Sequence, residues 1–221
     1  MITKTKIKLS KNTLSILKNF AAINSNLLIK PGSGFKTIAP SKCLLAEAQV
    51  EEDFPVEVAI WDLSQFLGVV SLFTDPEFEF EDNYVRIHSN NSSVKYYYSA
   101  PSLLTVPSKN ITMPAVAQQF VVTQSTFAEL IKAASVLQVG DLDIIGEDGI
   151  ISMSVSKKSD PTSNSYRVEV GKTDEDFSYT LQMDELKLLP GDYTVSLTDT
   201  VVSKFSHNSM SVNYYIAVTK N

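Results

Sequence analysis

Side chains able to carry a reaction are few in this sequence, and they are scattered. Its two histidines, His88 and His207, fall in stretches that read as strand or loop, with no serine or aspartate patterned around either. A catalytic histidine needs a nucleophile to deprotonate and a carboxylate to orient it, so a structural role is the better reading of both. Cys43 is the single cysteine. One thiol and two histidines in unrelated segments cannot supply the usual ligand set of a zinc site. A lone thiol also excludes an intrachain disulfide, which makes a reducing cytosol the natural compartment. The acids of PEFEFED, residues 76–82, alternate with phenylalanine and so share one solvated strand face; the spacing of a calcium-binding loop is absent. Asp174, Glu175 and Asp176 read as a loop. No HExxH, GxSxG, Walker or GxGxxG pattern occurs. The expectation is a protein that is not an enzyme and uses no metal and no cofactor.

The suggestive residues are lysines. The chain has 221 residues, a formal net charge of −6 and a pI near 5.0, which argues against a generally basic nucleic-acid binder. Net charge does not describe a local field, however. Residues 9–23, LSKNTLSILKNFAAI, repeat apolar side chains at helical spacing. At about 100° per residue, Leu14, Leu17 and Ala21 share an inward face, and Lys11, Ser15, Lys18 and Ala22 the opposite one. Ser10 is placed to cap the first turn. For one helix, ordinary solvation explains a lysine face. The device returns, however. Residues 121–137 predict a second long helix with Lys132 outward, and a short helix over residues 184–188 carries Lys187. If the helices line one surface, it is basic, while the strands hold Glu47, Glu51, Glu52, Glu77, Glu79 and Glu81. Trp61, Tyr96, Tyr97 and Tyr98 could stack on bases, but packing and interfaces are the commoner use of such residues.

Around these helices the pattern is mostly strand. Strands are predicted over residues 6–9, 27–30, 35–39, 43–50, 56–61, 69–73, 84–88 and 94–99, with PEFEFED as a further one. A short helix over 62–68 takes Asp62 as its cap, with Leu63, Phe66 and Leu67 inward. Residues 31–34, PGSG, and the acids 51–53 read as turns. Residues 100–119 carry Pro101, Pro107 and Pro114 with little periodicity, the composition of an extended linker. The second half restarts at Phe120. It holds a hairpin turning at residues 147–149, a loop over 159–164, and strands over 166–170, 177–183, 193–198, 204–206 and 212–219. The division is a domain over 1–100, a connector over 101–119 and a domain over 120–221. No apolar run approaches the roughly 20 residues of a membrane span. The basic start, MITKTKIKLS, lacks the apolar core of a signal peptide. Without secretion, the sequons at Asn90, Asn91 and Asn110 carry no weight.

The halves match each other. A shift of 113 brings Leu9 to Val122, Ser10 to Thr123, Thr13 to Thr126, Leu14 to Phe127, Leu17 to Leu130 and Ala21 to Ala134. A shift of 120 brings Asp62 to Gln182, Leu63 to Met183 and Phe66 to Leu186. Each half reads strand, long helix, strands, short helix, strands, and the shared order weighs more than the individual identities. Two helices can cover one face of each sheet.

LSKNTLSILKNFAAIN at 9–24, VAIWDLSQFLGVVSL at 58–72 and MDELKLLPGDYTVSL at 183–197 resemble the DNA polymerase sliding clamps of tailed bacteriophages related to the T-even group. The closing YYIAV, 214–218, is similar to the end of eukaryotic proliferating-cell clamps. The resemblance implies an α+β fold of two repeated clamp (processivity-fold) domains, each with two helices packed on antiparallel sheet. Three subunits would close into a ring with helices lining the hole. It implies a subunit contact between residues 94–99 and 165–170, involving Lys95, Tyr96, Tyr97, Tyr98, Tyr166, Arg167 and Glu169. It implies a pocket for partner peptides at Ile38, Cys43, Leu45, Tyr215 and Ala217. Lys11, Lys18, Lys132 and Lys187 would face duplex DNA, with phosphate contacts that carry no sequence information.

The function so implied is a processivity factor that encircles duplex DNA and tethers the replicative polymerase. Its partners would be duplex DNA of any sequence, DNA polymerase, a clamp-loader ATPase and two further copies in a homotrimer. Transcription factors are a candidate further partner, and no membrane is involved. The compartment would be the cytoplasm of an infected host bacterium. Two other classes compete: a monomeric clamp-fold accessory gripping DNA with one basic face, and a virion β-structural protein whose helices are incidental.

Overall fold

The first long helix, α1 (Lys11–Ile23), begins where its sequence provides a cap: the Ser10 hydroxyl accepts from Thr13 N at 3.2 Å. The helix buries Thr13, Ile16, Leu17, Phe20 and Ile23. This differs from the expected inward face, because Leu14 and Ala21 lie at its half-exposed margin. Apolar side chains occupy more than half of the helix circumference, so two overlapping stripes compete. The stripe with Ile16, Phe20 and Ile23 removes more apolar area from water and therefore wins. Lys11, Ser15, Lys18 and Ala22 are exposed.

The computed structural model describes residues 6–107 and 111–221. The sequon at Asn110, part of the connector and the first five residues of the basic N-terminus lie outside the described residues. The chain divides into two compact units, Met1–Asn110 and Ile111–Asn221.

In the first unit, β1 (Lys6–Ile7), β6 (Glu77–Phe80), β7 (Tyr84–Ser89) and β8 (Ser92–Tyr97) form an antiparallel sheet in that order. Strands β2 (Leu27–Ile29) and β5 (Val58–Ile60) pair separately, and β3 (Gly32–Ile38) pairs with β4 (Leu44–Phe54). The acids 51–53 are strand, not turn. A register shift between Gly32 and Gly34 lets β4 continue until Phe54 is buried, which pulls Glu52 alongside α1. Helix α2 (Leu63–Val70) starts at the expected cap, with Asp62 Oδ1 accepting from Gln65 N at 2.8 Å. It buries Leu63, Phe66 and Val70. The expected strand over 69–73 does not form: α2 takes Val69 and Val70, and Leu72 beyond it is 72% exposed. A short apolar run does not by itself distinguish helix from strand.

Strand β6 departs from its predicted alternation at one residue. Glu79 is not solvated; its side chain is 10% exposed, with Lys6 Nζ at 2.8 Å, His88 Nε2 at 3.3 Å and Arg86 Nη1 at 3.7 Å. The hydrogen-bonded Lys6 ammonium is the first cause holding the Glu79 carboxyl below its usual range, with His88 and Arg86 adding to it. A depressed carboxylate stabilises the fold above its unfolded pKa, and that contribution disappears as pH falls through the folded value. Glu79→Gln should therefore flatten the acid limb of a melting-temperature profile below about pH 4, and an unchanged limb would contradict the pairing.

In the second unit, β9 (Val116–Val122) starts four residues ahead of the expected restart at Phe120. Helix α3 (Gln124–Leu137) follows, capped by Thr123, whose hydroxyl accepts from Thr126 N at 3.2 Å. Strands β10 (Asp141–Glu147) and β11 (Ile150–Ser156) form the predicted hairpin. Asp148 and Gly149 take φ of 52° and 82° at its turn, the left-handed pair such a turn requires. With β12 (Tyr166–Lys172), β13 (Phe177–Gln182) and β17 (Thr219–Lys220), they make a sheet in the order β12-β11-β10-β13-β17. Strands β16 (Val212–Ala217), β15 (Val202–His207), β14 (Tyr193–Thr198) and β9 run antiparallel in that order.

The expected second short helix is only a 3-10 turn, Met183–Glu185. Pro190 restricts Leu189, so too few residues remain for an α-helix to nucleate. Lys187 therefore sits on exposed extended chain rather than on a helix. That chain is fastened to the core: Tyr193 Oη donates to Leu189 O at 2.6 Å, and Leu189 N donates to Tyr214 Oη at 3.2 Å. Burial pushes the Tyr214 phenol up to about 12. His207 has the structural role expected of it. Its Nδ1 accepts from Ser209 N and Met210 N at 3.1 and 3.2 Å, and its Nε2 lies 3.2 Å from Pro190 O. A Cβ at Gly191 would meet His207 Nε2 at 2.2 Å, which fixes glycine there.

Candidate functional site

The structure builds the same helix start twice. In α1, a carboxylate from β4 completes the cap: Glu52 accepts from Ser10 N and, at 2.5 Å, from the Thr13 hydroxyl. In α3, Asp192 Oδ1 accepts from Gln124 N at 2.8 Å. Each long helix thus has a carboxylate from its own unit against the positive end of its dipole. Sequence reasoning missed both acids. They stand 42 and 68 residues from the groups they bond, beyond the range of a local capping box.

Beside each long helix runs a groove. The first, about 320 Å³, is lined by Lys11, Leu14 and Lys18 of α1 together with Leu67, Val70 and Phe73. The second, about 250 Å³, is lined by Gln124, Phe127 and Ile131 of α3 together with Leu186, Leu189 and Tyr193. Lys8 and Asp75 form an ion pair at the first groove's side of the unit. Lys132 is exposed on α3, as is Glu129, whose Oε2 accepts from Tyr166 Oη at 3.3 Å. Of the four candidate lysines, then, two share one groove wall and two stand apart in the other unit.

Strand β8 ends one sheet and β12 ends another, each with one edge unpaired among the described residues. At the opposite ends of those sheets, β1 and β17 span two described residues each, so among the described residues β8 and β12 offer the long edges. On β8 the side chains alternate. Tyr96 is half-buried with its ring edge-on to Phe66 at 5.1 Å, and burial raises its phenol pKa. Tyr98 follows beyond the strand, also half-buried. Tyr97 is 62% exposed beside Tyr84, and Lys95 Nζ lies 4.9 Å from the Tyr84 ring. On β12, Tyr166, Arg167 and Glu169 are exposed. Backbone pairing there would not need the buried tyrosines.

The five residues expected at a peptide pocket fall into two sets. Ile38 and Leu45 are cross-strand partners at the end of the β3–β4 pair, with Cys43 in the connecting turn. Tyr215 and Ala217 lie on β16 of the second unit; Tyr215 is buried and Ala217 exposed. None of the five lines either groove. Trp61 is 55% exposed just ahead of α2. No helix among the described residues is long and apolar enough to cross a membrane.

Comparison with known proteins matches both units. A family model described as DNA polymerase processivity factor covers residues 8–113, and one described as gp45 sliding clamp, C terminal, covers residues 120–220. The sliding clamp of Escherichia phage RB69 is 31% identical over 222 residues, 96% of each chain. The sliding clamp of Enterobacteria phage T4 is 30% identical over 198 residues, 86% of this chain and 87% of that one. Among solved structures, A. fulgidus PCNA bound to the C-terminal region of FEN-1 superposes with a TM-score of 0.73 at 12% identity, covering 97% and 98% of the two chains. At that identity the likeness is one of fold.

Proposed function

The chain belongs to the sliding-clamp family of DNA polymerase processivity factors, and from that membership we propose how its own residues perform the task. It encircles duplex DNA and tethers the replicative polymerase. Three copies close the ring by joining β8 of one subunit to β12 of the next. Backbone pairing supplies the ladder, and Lys95, Tyr97, Tyr166, Arg167 and Glu169 flank it. A head-to-tail contact of this kind terminates only by cyclic closure. The observation that carries the reading is the α1 surface: exposed Lys11 and Lys18 with no acid between them, on a chain of net charge −6. Such a face attracts phosphates without reading bases, and weak sequence-blind contacts permit movement along the duplex.

Lys11, Lys18, Lys132 and Lys187 are the candidate DNA-facing lysines, and Lys11 and Lys18, which share a groove wall, are the pair placed to hold phosphates. The ring does no chemistry, so an ATPase of the clamp-loader class opens it. Partner peptides seat at Ile38, Cys43, Leu45, Tyr215 and Ala217, and transcription factors are a candidate second class of peptide donor. The site of action is the cytoplasm of an infected bacterium, and the two domains expected over 1–100 and 120–221 are joined by a connector that ends ahead of β9 at Val116. Family membership disfavours both a monomeric accessory and a virion β-structural protein.

The test is primer extension on circular DNA with polymerase and loader. Replacing all four lysines by alanine should slow loading and flatten its salt response by about 3.5-fold per lost contact between 50 and 200 mM salt, without altering the melting temperature. Unchanged loading and an unchanged salt response would overturn the basic-surface account.

A further inference from the structure

The shift of 113 that superposes the Ser10 cap on the Thr123 cap also carries the groove wall across. Lys11, Leu14 and Lys18 fall on Gln124, Phe127 and Ile131, the three α3 residues that line the second groove. Where the first repeat presents two ammonium groups, with the Asp75 carboxylate of the same groove paired to Lys8, the second presents an amide and a half-exposed isoleucine. Lys132 does not substitute for them, since it lies outside the groove lining and shares exposed α3 with Glu129. Lys187 is followed by apolar chain and preceded by Asp184 and Glu185. Helix for helix, α3 sets Lys132 against Glu129, while the exposed face of α1 sets Lys11 and Lys18 against no acid.

We propose that phosphate contact is confined to the first repeat: Lys11 and Lys18 of each subunit hold the duplex, and the α3 face is a neutral, low-friction stretch between successive basic stations. This rests on the clamp reading, in which the helices face DNA. The internal carboxylates support it. Glu52 and Asp192 each place a carboxylate at the N-terminus of a long helix, which opposes phosphate binding there. Attraction then depends on side-chain charge alone, and that charge is unequally divided. In a ring of three such chains only one repeat of each carries the basic pair, so the duplex is touched at half the number of positions that the repeat count implies.

Loading onto primed circular duplex DNA, with loader present, is measured between 50 and 200 mM salt. Each phosphate contact contributes about 3.5-fold over this fourfold range. With the pair present in each of three subunits, Lys11→Gln/Lys18→Gln removes up to six contacts and should lower the salt response by up to on the order of 1000-fold. Lys132→Gln/Lys187→Gln should change it by less than about 3.5-fold. The reciprocal variant, Gln124→Lys/Ile131→Lys, adds up to six and should steepen it by a comparable factor, and it answers the question even if the first variant assembles poorly. Equal losses from the two lysine pairs, a larger loss from the second pair, or no steepening by the added lysines would overturn the proposal. Failure of the clamp reading is seen separately: an unsubstituted chain that leaves circular DNA as readily as linear DNA refutes the ring, whatever the lysines do.

Discussion

Proline on the outward-pointing amide of β12 should leave a folded subunit that sediments at the single-chain mass of 24.4 kDa and no longer supports processive synthesis. Consecutive strand amides point to opposite edges. Of Arg167→Pro and Val168→Pro, one therefore breaks the ladder to β11 and melts early, while the other removes only a donor that faces away from β11. Edge positions tolerate such a proline. The variant that keeps its melting temperature is the informative one. Its loss of processivity should approach the clamp-free level, because an open chain of subunits cannot trap DNA. A variant of this kind that still assembles would exclude the β8–β12 joint.

The second large effect concerns stability. Phe20 is 0% exposed at the centre of the α1 face turned inward, and Phe20→Ala should cost about 3–5 kcal/mol. Leu14→Ala, on the half-exposed margin, should cost about 1 kcal/mol. Urea unfolding of the two variants decides which stripe of α1 is the core. Equal costs would return the helix to the orientation read from sequence.

That comparison marks where the sequence was legible. Local signals were sufficient at helix starts. Ser10, Asp62 and Thr123 each accept the hydrogen bond their positions announce, and the shift of 113 that pairs Ser10 with Thr123 is reproduced in both caps. Hairpin punctuation was equally readable at Asp148 and Gly149. The family resemblance, carried mainly by residues 9–24 and 58–72, agrees with the family models and with the phage relatives.

What was not legible depends on distant parts of the chain. The rotation of α1 is decided by how much area each competing stripe buries against α2, β3 and β4, not by periodicity. Glu79 reads as solvated until β1 brings Lys6 beside it. Glu52 reads as part of a turn until a register shift lengthens β4 and delivers it to the α1 cap. The short helix over 184–188 failed for the opposite reason, since Pro190 overrides a favourable local pattern.

The central claim is topological: the protein holds DNA by surrounding it. Its most direct measurement is retention of the loaded chain on a circular duplex before and after one double-strand cut. The ring reading predicts slow dissociation from the circle and rapid loss through the new ends, with the bound copies remaining associated as they leave. Equal dissociation from circular and cut DNA would contradict it.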